Sequence, residues 1–166
     1  RVVAQATASQ ADTVLVVLGH EAEAVRAALA DSSVTFTDSP HFADGLSASL
    51  KAGIAAVPVD SDGAIVLLGD MPAVTAGHID QVIAAFNPVE GRSICVPTTR
   101  GKRGNPVLWG RDYFAEIDAL SGDVGARHLI GAHADAVCEV ALEDDAIFVD
   151  VDTPDALRAY RDKAGH

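Results

Sequence analysis

Three carboxylates at the ends of apolar runs are the residues best suited to chemistry. In LLGDMPAV, residues 67–74, an aliphatic run stops at Gly69 and presents Asp70, with Pro72 placed to keep a strand from continuing. FVDVDTP, residues 148–154, repeats the arrangement with Asp150 and Asp152, which share one face of an extended chain because side chains alternate. Mg²⁺ takes one or two carboxylates and completes its shell with water and phosphate oxygens, so two acidic strand ends suit a metal–phosphate site. The plain structural account competes: Asp70 caps a helix starting near Thr75, and Asp152 caps the last helix.

Three further segments carry weaker signals. DGLSASLKAG, residues 44–53, offers Gly45 for close backbone approach, hydroxyls at Ser47 and Ser49, and a helix N-terminus suited to an anion or a base edge. A capped amphipathic helix explains it as well. GKRGNPVLW, residues 101–109, sets Lys102 and Arg103 between glycines in an otherwise acidic chain. That suits an anionic substrate or a solvated hairpin tip. In SGDVGAR, residues 121–127, Asp123 and Arg127 read as a helix-start carboxylate and an i, i+4 pair. The six histidines show no metal-ligand spacing, and no Ser–His–Asp or Cys–His arrangement emerges.

The elements that must position these groups alternate. TVLVVLG at 13–19 is a strand buried on both faces, followed by a helix at 20–31, a strand at 33–38, a loop, and a helix at 46–57. A second buried strand at 63–70 leads to an amphipathic helix at 75–86 with Thr75 at its cap. That alternation predicts a parallel α/β sheet, in which ligands bind beyond the carboxyl ends of the strands. The second half reads as short strands at 93–99 and 105–110 around the GKRGNP turn, then helices at 111–120 and 123–132. Strands at 136–142 and 146–151 follow, and a helix at 153–163 closes the chain with Thr153 at its cap and Pro154 at its first position.

The 166 residues suit one domain with a full core. A net charge of −12 argues against a nucleic-acid backbone or an anionic membrane as partner, since both need a basic face. Cys95 and Cys138 lie in apolar strand-like runs, as expected of small buried thiols in a reducing compartment. With no apolar stretch near the ~20 residues of a membrane span, a cytoplasmic protein is expected, and a monomer because no helix carries a second apolar face.

Taken in order, LVVLGHEAEAV, DSPHFADGLSASLKAG, LLGDMPAV, GKRGNPVLW, GDVGAR and DVDTPDAL resemble the nucleotidyltransferase family that includes the molybdenum-cofactor cytidylyltransferases. The resemblance covers nearly the whole chain. It implies a three-layer α/β sandwich with a Rossmann-like, mostly parallel sheet flanked by helices, of the nucleotide-diphospho-sugar transferase type. It also implies transfer of CMP from CTP to the terminal phosphate of molybdopterin with Mg²⁺, releasing pyrophosphate. Asp70, Asp150 and Asp152 would be the catalytic metal ligands, and Gly45, Leu46, Ser47, Ser49 and Gly69 would flank the nucleotide. Arg103, Gly104, Asn105 and Arg127 would face the acceptor. Implied partners beyond the substrates are a molybdoenzyme or its maturation chaperone. GTP, or another small phosphate acceptor, is the nearest alternative.

One departure stands out. The family opens with a strand and a Gly-rich loop holding an Arg and a Lys, and the present chain begins at what would be the following helix. Roughly thirty to forty residues, one βα unit with its loop, would then be missing from a single nucleotidyltransferase domain spanning 1–166.

Two other classes compete. An NAD(P)-dependent oxidoreductase would use the strand–Gly–helix unit at 13–30, but VVLGHEAEAV has one Gly where a dinucleotide fingerprint needs three. Glu21 and Glu23 also stand where pyrophosphate would sit. A non-catalytic cofactor-binding module is the other.

Overall fold

The computed structural model describes residues 1–121 and 126–164. Its strands are β1 Leu15–Leu18, β2 Thr35–Asp38, β3 Gly63–Val66, β4 Ile94–Thr99, β5 Lys102–Arg103, β6 Val107–Gly110 and β7 Val137–Ala141. The helices are α1 Val2–Thr7, α2 Ala22–Ala28, α3 Leu46–Ala55, α4 Ala76–Ala85, α5 Phe114–Asp118, α6 Arg127–Ala132 and α7 Pro154–Ala164.

β1 and β2 pair in parallel as a sheet of their own. The larger sheet runs β3-β6-β4-β5, with β7 added to β4 in parallel. Because β6 is antiparallel to both β3 and β4, those two strands point the same way and deliver their carboxyl ends to the same edge. The result is a mixed, parallel-rich α/β arrangement.

Alternation along β4 and β6 builds the layers. Ile94 and Val96 of β4, with Val107 and Trp109 of β6, face a core that includes Ile54 of α3, Ile117 of α5 and Leu129 and Ile130 of α6. The intervening Cys95 and Leu108 face the other way, onto Val82 and Phe86 at α4. Ile79, Val82, Ile94, Val96 and Ile117 are wholly buried, and each side chain stabilises the fold by about 1.5–3 kcal/mol. On the β1 side, α3 approaches so closely that a Cβ at Gly53 would lie 2.9 Å from Cγ2 of Val17.

The structure corrects two expected strands. The run at 63–70 is a strand only to Val66, so it has ended well before Pro72 can act as its stop. The run at 146–151 is not a strand at all. Ala146–Phe148 form a 3₁₀ turn, held as Ala146 N–H donates to Asp144 Oδ1 at 2.9 Å and Phe148 N–H to the Asp145 carbonyl at 3.0 Å. Side-chain acceptors of this kind divert a backbone from a sheet ladder. The helix expected at 111–120 opens with a 3₁₀ turn over Arg111–Tyr113 before α5. Among the described residues no helix is long and apolar enough to cross a membrane.

Candidate active site

Asp70 sits in the turn after β3, and its corner is fixed from below. Met71 and Val74, both 2% exposed, anchor the turn in the apolar cluster that contains Ala6 and Ile79. From α7, the Tyr160 hydroxyl donates to the Pro72 carbonyl at 2.9 Å. Asp70 does not cap α4. Thr75 does: its Oγ1 accepts from His78 N–H at 3.3 Å while Thr75 N–H donates to His78 Nδ1 at 3.2 Å. The capping account of Asp152 fails in the same way, since Thr153 Oγ1 accepts from Ala156 N–H at 3.1 Å at the start of α7. Pro154 opens that helix, as the sequence predicts.

With capping removed, what surrounds Asp70 is chemically unusual. Its Oδ1 is buried and has no hydrogen-bond partner. Burial raises the carboxyl pKa above its ordinary value, a backbone hydrogen bond partly opposes it, and the charges of Asp150 and Asp152 raise it further. An orphaned buried acceptor beside two like charges is a poor arrangement for an isolated chain and a good one for a cation. The described residues nevertheless contain no preassembled set of three or more ligating side chains. An ion here would take one or two carboxylates and fill its other positions with water or phosphate oxygens, which is the habit of Mg²⁺.

The second carboxylate arm is held in place by groups the sequence reading did not single out. Its origin is tied to β4: Leu142 N–H donates to the Thr98 carbonyl at 2.8 Å, and Thr99 Oγ1 to the Asp144 carbonyl at 2.7 Å. His78 Nε2 lies 3.2 Å from Asp144 Oδ2, linking the arm to the start of α4. Its far end reaches Asp70 directly, as Val151 N–H donates to the Asp70 carbonyl at 2.8 Å. The exposed carboxylates of Asp150 and Asp152 flank that bond in sequence. Of these groups only Thr99, in a wholly buried strand, carries a sequence signal: a buried hydroxyl must find an acceptor.

The remaining candidates divide. Gly45 precedes α3 with φ 110°, a left-handed conformation that favours glycine, and Leu46 beside it is exposed. Ser47 is buried, and Ser49 Oγ points to Ser39 Oγ at 3.5 Å, so that hydroxyl also serves the end of β2. Gly69 does not need a glycine conformation, and an added Cβ would meet nothing within 4 Å. Open space beside Asp70, rather than backbone turning, is what this residue contributes.

Lys102 and Arg103 form β5, paired with Thr99 and Thr98. Arg103 Nε donates to Glu139 Oε1 at 2.7 Å, an exposed pair worth roughly 0.2–1 kcal/mol. The guanidinium that the resemblance assigns to the acceptor is thus engaged with β7. Gly104 packs against the arm, where a Cβ would lie 2.9 Å from Ile147 Cδ1. Asn105 precedes Pro106 through a cis peptide. The hairpin, Ile147, Val151 and Asp70 therefore form one contiguous path. Arg127 is exposed at the start of α6, and Asp123, its expected i, i+4 partner, lies outside the described residues.

At the other candidate strand end, Glu21 adopts a left-handed conformation before the seven-residue α2, whose first turn carries Glu23. Two carboxylates at that terminus oppose a dinucleotide pyrophosphate.

Comparison with known proteins identifies the family. The MobA-like NTP transferase domain matches residues 1–137. The chain is 29% identical over 117 residues to purine catabolism protein PucB of Bacillus subtilis (strain 168), covering 68% of this chain and 54% of that protein. It is 27% identical over 126 residues to the molybdenum cofactor cytidylyltransferase of Escherichia coli (strain K12), covering 75% and 60% respectively. The chain thus spans little more than half the length of the curated relatives it matches. Rv0371c from Mycobacterium tuberculosis H37Rv superposes with a TM-score of 0.79 at 28% identity, covering 96% of this chain and 79% of that one. A crystal structure of Rv0371c in complex with manganese superposes with a TM-score of 0.76 over 95% of this chain and 80% of that one, also at 28% identity.

Proposed function

Because the chain belongs to the MobA-like NTP transferase family, we propose that it transfers CMP from CTP to the terminal phosphate of molybdopterin and releases pyrophosphate. The observation that carries a transferase site is the buried, unpartnered Asp70 Oδ1 set against Asp150 and Asp152. The choice of CTP and molybdopterin rests on likeness to the Escherichia coli cytidylyltransferase.

The residues present fit a divalent cation, and Asp70 with Asp150 or Asp152 would hold Mg²⁺. When bound, the ion would neutralise charge on the phosphates of the nucleotide. The chain itself has little covalent work. A terminal phosphate is largely ionised at neutral pH, so its oxygen attacks the α-phosphorus with no proton to abstract, and pyrophosphate leaves from the opposite side. Asp70 therefore acts as an electrostatic anchor rather than a general base. Gly45, Leu46 and the start of α3 line the nucleotide side, with Ser47 and Ser49 behind them, and the open space at Gly69 admits the phosphates. Gly104 and Asn105 border the acceptor side, where Arg103 can exchange Glu139 for an acceptor phosphate. Arg127 is the outermost acceptor contact. A molybdoenzyme or its maturation chaperone would receive the product.

The test measures pyrophosphate release with molybdopterin as acceptor, comparing CTP and GTP, with Mg²⁺ and with chelator. Release is expected with CTP and Mg²⁺ only, and Asp70→Asn lowers it on the order of 10²–10³-fold. Preference for GTP would move the assignment to the guanylyl branch. Thermal stabilisation by NADPH with none from CTP and Mg²⁺ would overturn the transferase reading.

A further inference from the structure

Away from the carboxylates, two thiols stand side by side. β4 and β7 run parallel with Cys95 opposite Cys138 in the register. Directly paired residues in a parallel ladder share a face, and both belong to the cluster beneath α4 with Val82 and Phe86. Neighbouring strands lie about 4.7–4.9 Å apart, inside the Cα separation of about 4.4–6.8 Å that a disulfide spans. Cys95 is wholly buried and Cys138 is partly exposed, and both are free thiols.

We propose that Cys95 and Cys138 are a redox modification site, closing to an intrachain disulfide between β4 and β7 on exposure to a peroxide. The asymmetry of burial assigns the roles. Peroxide reaches Cys138, whose sulfur attacks one peroxide oxygen; the O–O bond breaks, the leaving hydroxide takes the Cys138 proton as water, and the sulfenic acid remains. The Cys95 sulfur then attacks the sulfenic sulfur; the S–O bond breaks, and the leaving hydroxide takes the Cys95 proton as a second water. Two thiols and one hydrogen peroxide become one disulfide and two waters, a two-electron oxidation. Burial pushes the Cys95 thiol up to about 12, with the neighbouring Cys138 adding to the effect. Cys95, which peroxide does not reach through the packed cluster, is the resolving thiol rather than the first target.

The bond would join strands whose ladder continues to Thr98 and Ala141 and then into the arm that ends at Asp152. It adds a covalent tie upstream of the site without touching a substrate group.

The experiment treats the chain with hydrogen peroxide at neutral pH and follows intact mass, thiol count after denaturation, and the peptide map. Both thiols should disappear together in a monomer, with the mass falling by two hydrogens, and dithiothreitol should restore them. The oxidised chain should melt on the order of 5–10 °C higher. In Cys95→Ser, a dimedone-trapped sulfenic acid should accumulate on Cys138; in Cys138→Ser, Cys95 should stay reduced. Stepwise oxygen addition at Cys138 with Cys95 intact in the unsubstituted chain would overturn the proposal. So would disulfide-linked dimers as the main product, or oxidation of Cys95 in Cys138→Ser at the rate of the unsubstituted chain.

Discussion

Replacing Asp70 by Asn keeps the shape of the side chain and removes one negative charge from beside Asp150 and Asp152. The folded chain holds the Asp70 proton more tightly than the unfolded chain does, because its pKa is raised above the ordinary 3.8. Stability from the protonated form is therefore fully present below that ordinary value and is lost as pH rises through the raised one. At neutral pH the unsubstituted protein carries the whole penalty. Its two like-charged neighbours are solvent-exposed, so each repulsion is worth roughly 0.2–1 kcal/mol, or about 1 kcal/mol together. Relief of the buried charge acts in the same direction, so this figure is a lower bound. Without divalent cation at pH 7, Asp70→Asn should raise Tm by about 2–4 °C for a chain of this size, and the gap should close as the pH approaches 3.8. Manganese at a hundredfold excess over its dissociation constant should reverse the order. It adds about 2.7 kcal/mol to the unsubstituted chain and much less to the variant. Differential scanning fluorimetry with and without chelator reads both arms. A lower Tm for Asp70→Asn in chelator, or equal stabilisation of both chains by manganese, would refute the reasoning.

Other expectations follow from the same geometry. Manganese affinity should strengthen with rising pH as Asp70 loses its proton, and the dependence should be lost in Asp70→Asn; isothermal titration across pH 4–7 reads it. Gly69→Ala should leave stability within about 0.5 kcal/mol, since its Cβ meets open space, while raising the KM for nucleotide in the pyrophosphate assay. Gly104→Ala drives a methyl into Ile147 and should cost about 1–3 kcal/mol by chemical denaturation, partly recovered by adding Ile147→Val. Thr75→Ala should cost about 1 kcal/mol through loss of the α4 cap and leave manganese binding unchanged, separating cap from cation site.

Much of this arrangement is legible in the sequence, and the failures have physical causes. The aliphatic runs at 13–19 and 63–70 announce strands, and Thr75 and Thr153 announce their helices, because periodicity and capping are local. The segment 146–151 has the composition of a strand, yet Asp144 and Asp145 capture its backbone in a turn. No composition could have shown the antiparallel entry of β6 between β3 and β4, since strand direction is decided by partners distant in sequence. Arg103 reads as a free cation between glycines until Glu139 arrives from another strand. Asp70 stands out as a candidate from two motifs taken together. Its orphaned oxygen was visible from neither.

The bond from Val151 N–H to the Asp70 carbonyl has a reach beyond its single hydrogen atom. It registers one acidic arm against the other through groups common to nineteen of the twenty amino acids as donors and to all twenty as acceptors. Position 151 can therefore drift in side-chain identity while the spacing between the arms is kept, and an alanine scan would pass over it without a signal. Only proline, which has no hydrogen to give, would let the two arms separate.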